Sequence, residues 1–324
     1  MKQVIASAPG KIILFGEHFV VRGTRSIASA ISRRVYVSIT ETDSRYIRLI
    51  SPEAGIDSVI DPETLEPGDP MLAPLASMLE YIRDTLGYRI IPITIRVKSE
   101  LPIGAGLGSS AAFSAAFAKA FLTFIGEEDS LELVRKISMV GETKAHGKPS
   151  GIDTAMAIEG GTIIYRRGEN PVKISLSLPK GYSLIVANTG VERSTREVVE
   201  FVLRRADRTF RVSSMLYEAA DSLIDLALGA FESGDMELLG ELMDMNQGLL
   251  YSMGASSDVI ERLVWAARKN GALGAKLTGA GWGGSIIVLT DEALAPAVKS
   301  VLVNEGALDV FEVSLGEPGV RVEE

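Results

Sequence analysis

Apolar and polar positions alternate in two different rhythms along this chain. The first ninety residues carry short β-branched and aromatic runs, "KIILF" (11–15), "VYVSITE" (35–41) and "YIRLI" (46–50), which predict strands. Residues 51–70, "SPEAGIDSVIDPETLEPGDP", are rich in Pro, Gly and acids and predict a surface loop. "MLAPLASMLEYIRDTLG" (71–87) has helical spacing and ends at Gly87, a C-cap residue type. A strand follows in "YRIIPITIRVKS" (88–99), then a Gly-rich turn, then "SSAAFSAAFAKAFLTFIG" (109–126). That last segment is apolar nearly all round, which predicts a buried helix. "SLELVRKISMVGETKAHG" (130–147) predicts another helix with Ser130 as its N-cap.

"GGTIIYRR" and "GYSLIVANTG" are strand-like, and from Arg193 to about Asn270 the periodicity turns helical. The rest alternates: strand "LGAKLTG", a Gly-rich turn, strand "SIIVLT", helix "EALAPAVKSVLVNEG", strand "DVFEVSL". The fold class is therefore α+β in two α/β halves, divided near residue 180 into 1–180 and 181–324. No Ser/Gly linker marks the division, so the halves are expected to pack tightly.

Composition narrows the chemistry. Of 324 residues, 46% are hydrophobic, enough for a sizeable core. The net charge of -9 and the lack of a Lys/Arg block argue against a nucleic-acid partner. No cysteine is present, which excludes disulfides, thiolate metal sites and Cys nucleophiles. Two histidines are too few for a multi-His metal site. The N-terminal apolar stretch is too short for a signal peptide, and no apolar run reaches the ~20 residues of a membrane span. A soluble cytoplasmic protein without a membrane partner is expected, with a homodimer as one possible assembly.

Three motifs carry chemistry. "PIGAGLGSSAA" (102–112) lies between a strand and a helix. Gly104, Gly106 and Gly108 permit close backbone approach, and Ser109 and Ser110 open a helix whose free N–H groups and dipole suit a polyphosphate. The bland alternative is a Gly-rich turn with a Ser cap. No Gly-Lys-Ser/Thr follows, so it is not a Walker sequence. A dinucleotide fingerprint is disfavoured by Ser109 at its last position. "PGKIILFGEHFVVRG" (9–23) places Lys11 at the start of a strand and Glu17-His18 after a turn-forming Gly. "LTGAGWGGSIIVL" (277–289) contains a formal G-x-G-x-x-G, but a strand follows it, which predicts a tight loop packed on another loop or a ligand. Between these, Glu142 sits late in a helix, against the dipole. Asp153 follows Ser150-Gly151-Ile152 in a turn, where an N-cap role competes with a functional one. His146 reads as ordinary helix-end chemistry.

These motifs, in this order, resemble the GHMP kinases. "PxGxGLGSSAA" is the most specific of them. Within the family, "PGKIILFGEHFVV", "HGKPSGIDTA" and "NTGVERSTRE" look like the mevalonate kinase branch; a galactokinase would continue Gly-Glu-His with Asp, and Phe19 stands here. The resemblance implies the GHMP kinase fold, with an N-terminal nucleotide-binding half and a C-terminal ferredoxin-like half. It implies ATP on the loop Pro102, Ile103, Gly104, Ala105, Gly106, Leu107, Gly108, Ser109, Ser110, Ala111, Ala112. It implies Mg2+ held by Ser110 and Glu142, and Asp153 and Lys11 as the catalytic pair. Mevalonate, the small-molecule partner, would meet Glu17, His18, Ser150, Thr189, Arg193 and Arg196. Trp282 departs from the usual run of glycines in the third motif. The rivals are a sister kinase for phosphomevalonate or another small alcohol, a non-catalytic ligand sensor of the same fold, and a nicotinamide-dependent oxidoreductase.

Overall fold

The computed structural model describes residues 2–127, 130–147 and 151–323. The first half is built on β1 (Gln3–Phe15) and β2 (Arg25–Glu41), long antiparallel strands paired from Gln3 opposite Thr40 to Phe15 opposite Ile27, with register shifts between Pro9 and Lys11 and between Ile13 and Phe15. β3 (Ile47–Ser51) and β4 (Ile56–Ile60) form a hairpin. β4 therefore lies inside the segment expected to be loop. Its alternating "IDSVI" is flanked by Pro and acids that hid it.

α1 (Ala73–Asp84) ends three residues before Gly87, with Thr85 as its cap. β5 (Ile93–Ser99) pairs antiparallel with β2 and parallel with β3. α2 (Ser109–Ile125) is buried on every side, as its Ala/Phe composition demands, and stops at Gly126 in the left-handed conformation. α3 (Leu131–His146) is capped by Ser130 Oγ, which accepts from the Leu133 N–H. α4 (Ile152–Glu159), β6 (Thr162–Arg166) and β7 (Val172–Ile174) complete this half.

The second half opens with β8 (Tyr182–Asn188). A helical run follows: α5 (Thr195–Arg208), α6 (Phe210–Ser233), α7 (Met236–Met253) and α8 (Asp258–Lys269). Then come β9 (Ala272–Thr278), β10 (Ser285–Asp291), α9 (Ala295–Asn304) and β11 (Asp309–Val313). The antiparallel sheet runs β11-β8-β10-β9. In chain order that is fourth, first, third, second strand, the split βαβ arrangement of ferredoxin-like units.

Both faces of this sheet are covered. Leu184 and Val186 of β8 join a core shared with α2, α6 and α7, while Ile185 and Ala187 join a second core under α5, α8 and α9. A strand buried on both faces reads as an unbroken apolar run, which is how "SLIVAN" reads. The shared core unites the halves, and Arg25 of β2 reaches across to Asp221 and Asp225 of α6 at 2.9 and 2.7 Å.

The segment after β11 returns to the first half. β12 (Arg321–Val322) pairs antiparallel with β1 at Ser7 and Ala6, extending the sheet to β12-β1-β2-β5-β3-β4. The buried Arg34 clamps it, donating to the carbonyls of Pro318 and Gly319. Gly161 N–H donates to Glu317 O, and Val320 N–H to Ile158 O at the end of α4. Among the described residues, no helix is long and apolar enough to cross a membrane.

Candidate active site

Lys11 leaves β1 at a register shift between Pro9 and Lys11. Its backbone N–H donates to Leu107 O at 2.8 Å, tying the first motif to the Gly-rich loop. Its stem lies so close to Gly108 that a Cβ there would stand 3.1 Å from Lys11 Cγ. Gly108 is the left-handed N-cap of α2, and no side chain caps that helix. Elsewhere the chain caps with Ser130, Ser194 or Asp235. The starts of α1, α4, α6, α8 and α9 also lack a side-chain cap, so what sets α2 apart is Lys11 beside its open backbone N–H groups, a pairing that suits a bound anion.

Lys11 Nζ reaches Asp153 Oδ1 at 3.3 Å; the lysine side chain is 8% exposed and the aspartate 45%. Asp153 lies in the first turn of α4 rather than in a turn between elements. Gly151, with φ 81°, caps the helix and lets it begin at Ile152. An acid in a first turn is favoured by the helix dipole.

Glu142 is buried near the end of α3 and accepts from Ser110 Oγ at 2.5 Å. Burial pushes its carboxyl pKa up, and the nearby Asp153 charge adds to that, against the Ser110 bond and His146. His146 Nε2 stands 3.9 Å from its second oxygen. No Lys or Arg pairs with Glu142 among the described residues. A buried carboxylate beside a hydroxyl, short of positive partners, fits a hard dication. Among the described residues no larger acidic or His cluster exists to hold a metal without phosphate oxygens and water.

Arg193 sits between the second and third motifs. Its Nε donates to Gly281 O at 3.0 Å, and Cβ atoms at Gly106 and Gly284 would stand 2.6 and 2.9 Å from its Nη2. Burial lowers its pKa, and its charge helps burial hold His18 neutral. His18 Nε2 meets Ala280 O at 2.7 Å. Thr189 is buried, its hydroxyl donating to Gly284 O at 2.9 Å. Ser285 Oγ donates to Ala105 O at 3.0 Å. The three motifs thus converge on one place.

Two of the expected contacts lie elsewhere. Glu17 is buried, with its carboxylate engaged by Lys276 and Asn246. Arg196 has an 85% exposed side chain and pairs with Glu200 one turn along α5. Ser150 lies outside the described residues. Sequence reasoning missed Lys276, although a lysine inside the apolar strand "LGAKLTG" was a signal. It also missed Asn246 and Thr278, which nothing in the pattern marks.

Trp282 stands at φ 58° in the third motif. Its backbone N–H donates to Ala255 O at 2.9 Å and its Nε1 to Gly254 O at 2.8 Å, with the ring edge-on to Phe201 at 5.1 Å. The indole anchors the loop to α5 and to the turn after α7. Trp282→Gly relieves the left-handed backbone by about 1 kcal/mol, but loses a half-buried indole worth about 2–3 kcal/mol. We expect a lower melting temperature, checked by calorimetry; a rise would mean that backbone strain dominates.

Comparison with known proteins agrees with this geometry. The profile of the GHMP kinases N terminal domain matches residues 74–161, and that of the GHMP kinases C terminal domain matches residues 227–308. A mevalonate kinase of Aeropyrum pernix is 47% identical over 322 residues, covering 98% of each chain. The crystal structure of the Methanococcus jannaschii mevalonate kinase superposes with a TM-score of 0.84 at 27% identity, covering 98% of this chain and 99% of that one. The L. major mevalonate kinase in complex with R-mevalonate gives 0.81 at 26%, covering 98% and 97%. With both halves matched and near-complete coverage of such relatives, the chain belongs to the GHMP kinase family, on its mevalonate kinase branch.

Proposed function

We propose that the protein transfers the γ-phosphoryl group of ATP to the primary hydroxyl of mevalonate, giving 5-phosphomevalonate and ADP. The observation that carries this reading is the Lys11–Asp153 pair at 3.3 Å, set against Gly108 at the uncapped start of α2. Phosphoryl transfer passes through a loose transition state, so aiming the hydroxyl and balancing charge matter more than base strength. Asp153 orients the hydroxyl and takes its proton as the oxygen bonds to phosphorus and the bond to ADP breaks. Lys11 balances charge between Asp153 and the incoming phosphoryl oxygens. Residues 1–180 carry the nucleotide loop, and residues 181–324 bring Arg193 and Thr189 to the alcohol side. Ser110 and Glu142 would hold Mg2+, which when bound neutralises charge on the β- and γ-phosphates. His18, held neutral by burial, offers a hydrogen bond without adding charge.

The test is ADP release with mevalonate, phosphomevalonate, galactose and homoserine as acceptors. Turnover of mevalonate is expected; turnover of another acceptor with none of mevalonate would refute the substrate.

Glu142→Gln separates metal from fold. The folded-state pKa of Glu142 is raised, so its contribution to stability is present at low pH. It is lost as pH rises from about 4 through the raised value. Glutamine keeps the shape and cannot ionise. The metal-free variant should melt about 2–4 °C higher at neutral pH, yet need more magnesium for half-maximal rate. A lower melting temperature with an unchanged magnesium response would make Glu142 a structural residue.

A further inference from the structure

One face of β9 and the residues just after it hold the first motif at three successive alternate positions. Thr278 Oγ1 accepts from the Ile13 N–H at 2.9 Å and donates to the Ile13 carbonyl at 3.0 Å. Ala280 O meets His18 Nε2 at 2.7 Å. Lys276 forms an ion pair with Glu17 in which both side chains have 0% exposure. Lys276 Nζ also donates to Leu277 O at 2.8 Å, and Asn246 Nδ2 of α7 donates to the other Glu17 oxygen at 3.2 Å.

A fully buried ion pair is a poor stabiliser, because desolvation of both charges can exceed their attraction. Burial lowers the Lys276 pKa accordingly. Neither group reaches solvent, so neither can touch a substrate. What stands over them is a turn closed by the Val20 N–H on Gly16 O and the Val21 N–H on His18 O, both at 3.1 Å, with backbone in unusual regions. Gly16 has φ 90°, and a Cβ there would stand 2.3 Å from Arg25 O. His18 is a non-glycine residue at φ 58°, ψ -43°. Such backbone persists only where the surroundings over-determine it. Glu17 is the middle residue of that turn, and its side chain is the anchor.

We propose that Lys276 is a positioning residue for the reaction. With Asn246 it fixes Glu17, and through Glu17 it aims His18 at the alcohol, so that the first motif takes its geometry from the C-terminal half. This rests on the reading of the 16–18 turn as part of the alcohol site. The rival is that the pair serves folding alone.

The experiment uses the full chain and measures melting temperature together with KM for mevalonate and for ATP. Lys276→Met alone strands a buried carboxylate and loses stability. The decisive variant is therefore the double Glu17→Gln/Lys276→Met, which carries neither charge. It should fold, with KM for mevalonate raised about tenfold and KM for ATP within about twofold of the parent. Asn246→Ala, which removes only the neutral arm, should raise KM for mevalonate about threefold with the same selectivity, and it decides the matter if the double variant does not fold. A folded variant with parental KM for mevalonate, or with both KM values raised together, overturns the proposal. Failure of the unsubstituted enzyme to phosphorylate mevalonate would instead overturn the substrate, and that control is read first.

Discussion

Asp153→Asn is expected to lower turnover by about two or more orders of magnitude, with KM for mevalonate changed far less. Asparagine keeps the size and can still hydrogen-bond a ground-state hydroxyl. It cannot take the proton, and it no longer forms the ion pair with Lys11 at 3.3 Å. Lys11→Met should also cut turnover. The double variant should lose less than the sum of the two in free energy, because each single change already disables the shared unit. Stopped-flow or steady-state rates for the four proteins close the cycle. Strict additivity would mean independent roles, and a fully active Asp153→Asn would end the proton-acceptor assignment.

Gly281→Ala is the second large effect, and it falls on stability first. Gly281 has φ 84°, and a Cβ there would stand 1.9 Å from Ala255 O. That oxygen accepts from the Trp282 N–H, so it cannot retreat without releasing the loop. Backbone strain and overlap together should cost about 3 kcal/mol or more. The Gly281 carbonyl also accepts from Arg193 Nε, so activity should fall along with the melting temperature. Denaturant titration checks the first effect. A stability loss near zero would mean that the loop after α7 yields freely.

The relation between pattern and structure differs from element to element. α2 was legible because an Ala/Phe helix with no polar face has only one place to go. The convergence of the three motifs was legible because glycines mark where backbones must touch. Arg196 was not: the family resemblance set it against the substrate, but here Glu200 at i+4 offers a partner on the same exposed helical face. Glu17 was set against the substrate by the family resemblance, whereas its carboxylate turns into the core. The reason lies 259 positions away at Lys276, beyond the reach of local patterning. Asp153 was read into a turn because Ser-Gly precedes it, yet Gly151 lets α4 start at once.

The β12 edge carries a consequence for how the enzyme comes into being. Ser7 hydrogen-bonds Glu323 across a separation of 316 residues, and the segment 317–320 braces the end of the helix that carries Asp153 in its first turn. On the ribosome, the first sheet to emerge waits with an open edge for almost the whole of synthesis. The α4 brace likewise arrives only with residues 317–320. A nascent chain holding every catalytic side chain is therefore still an idle one, and removing residues from 317 onward should return the finished protein to that state.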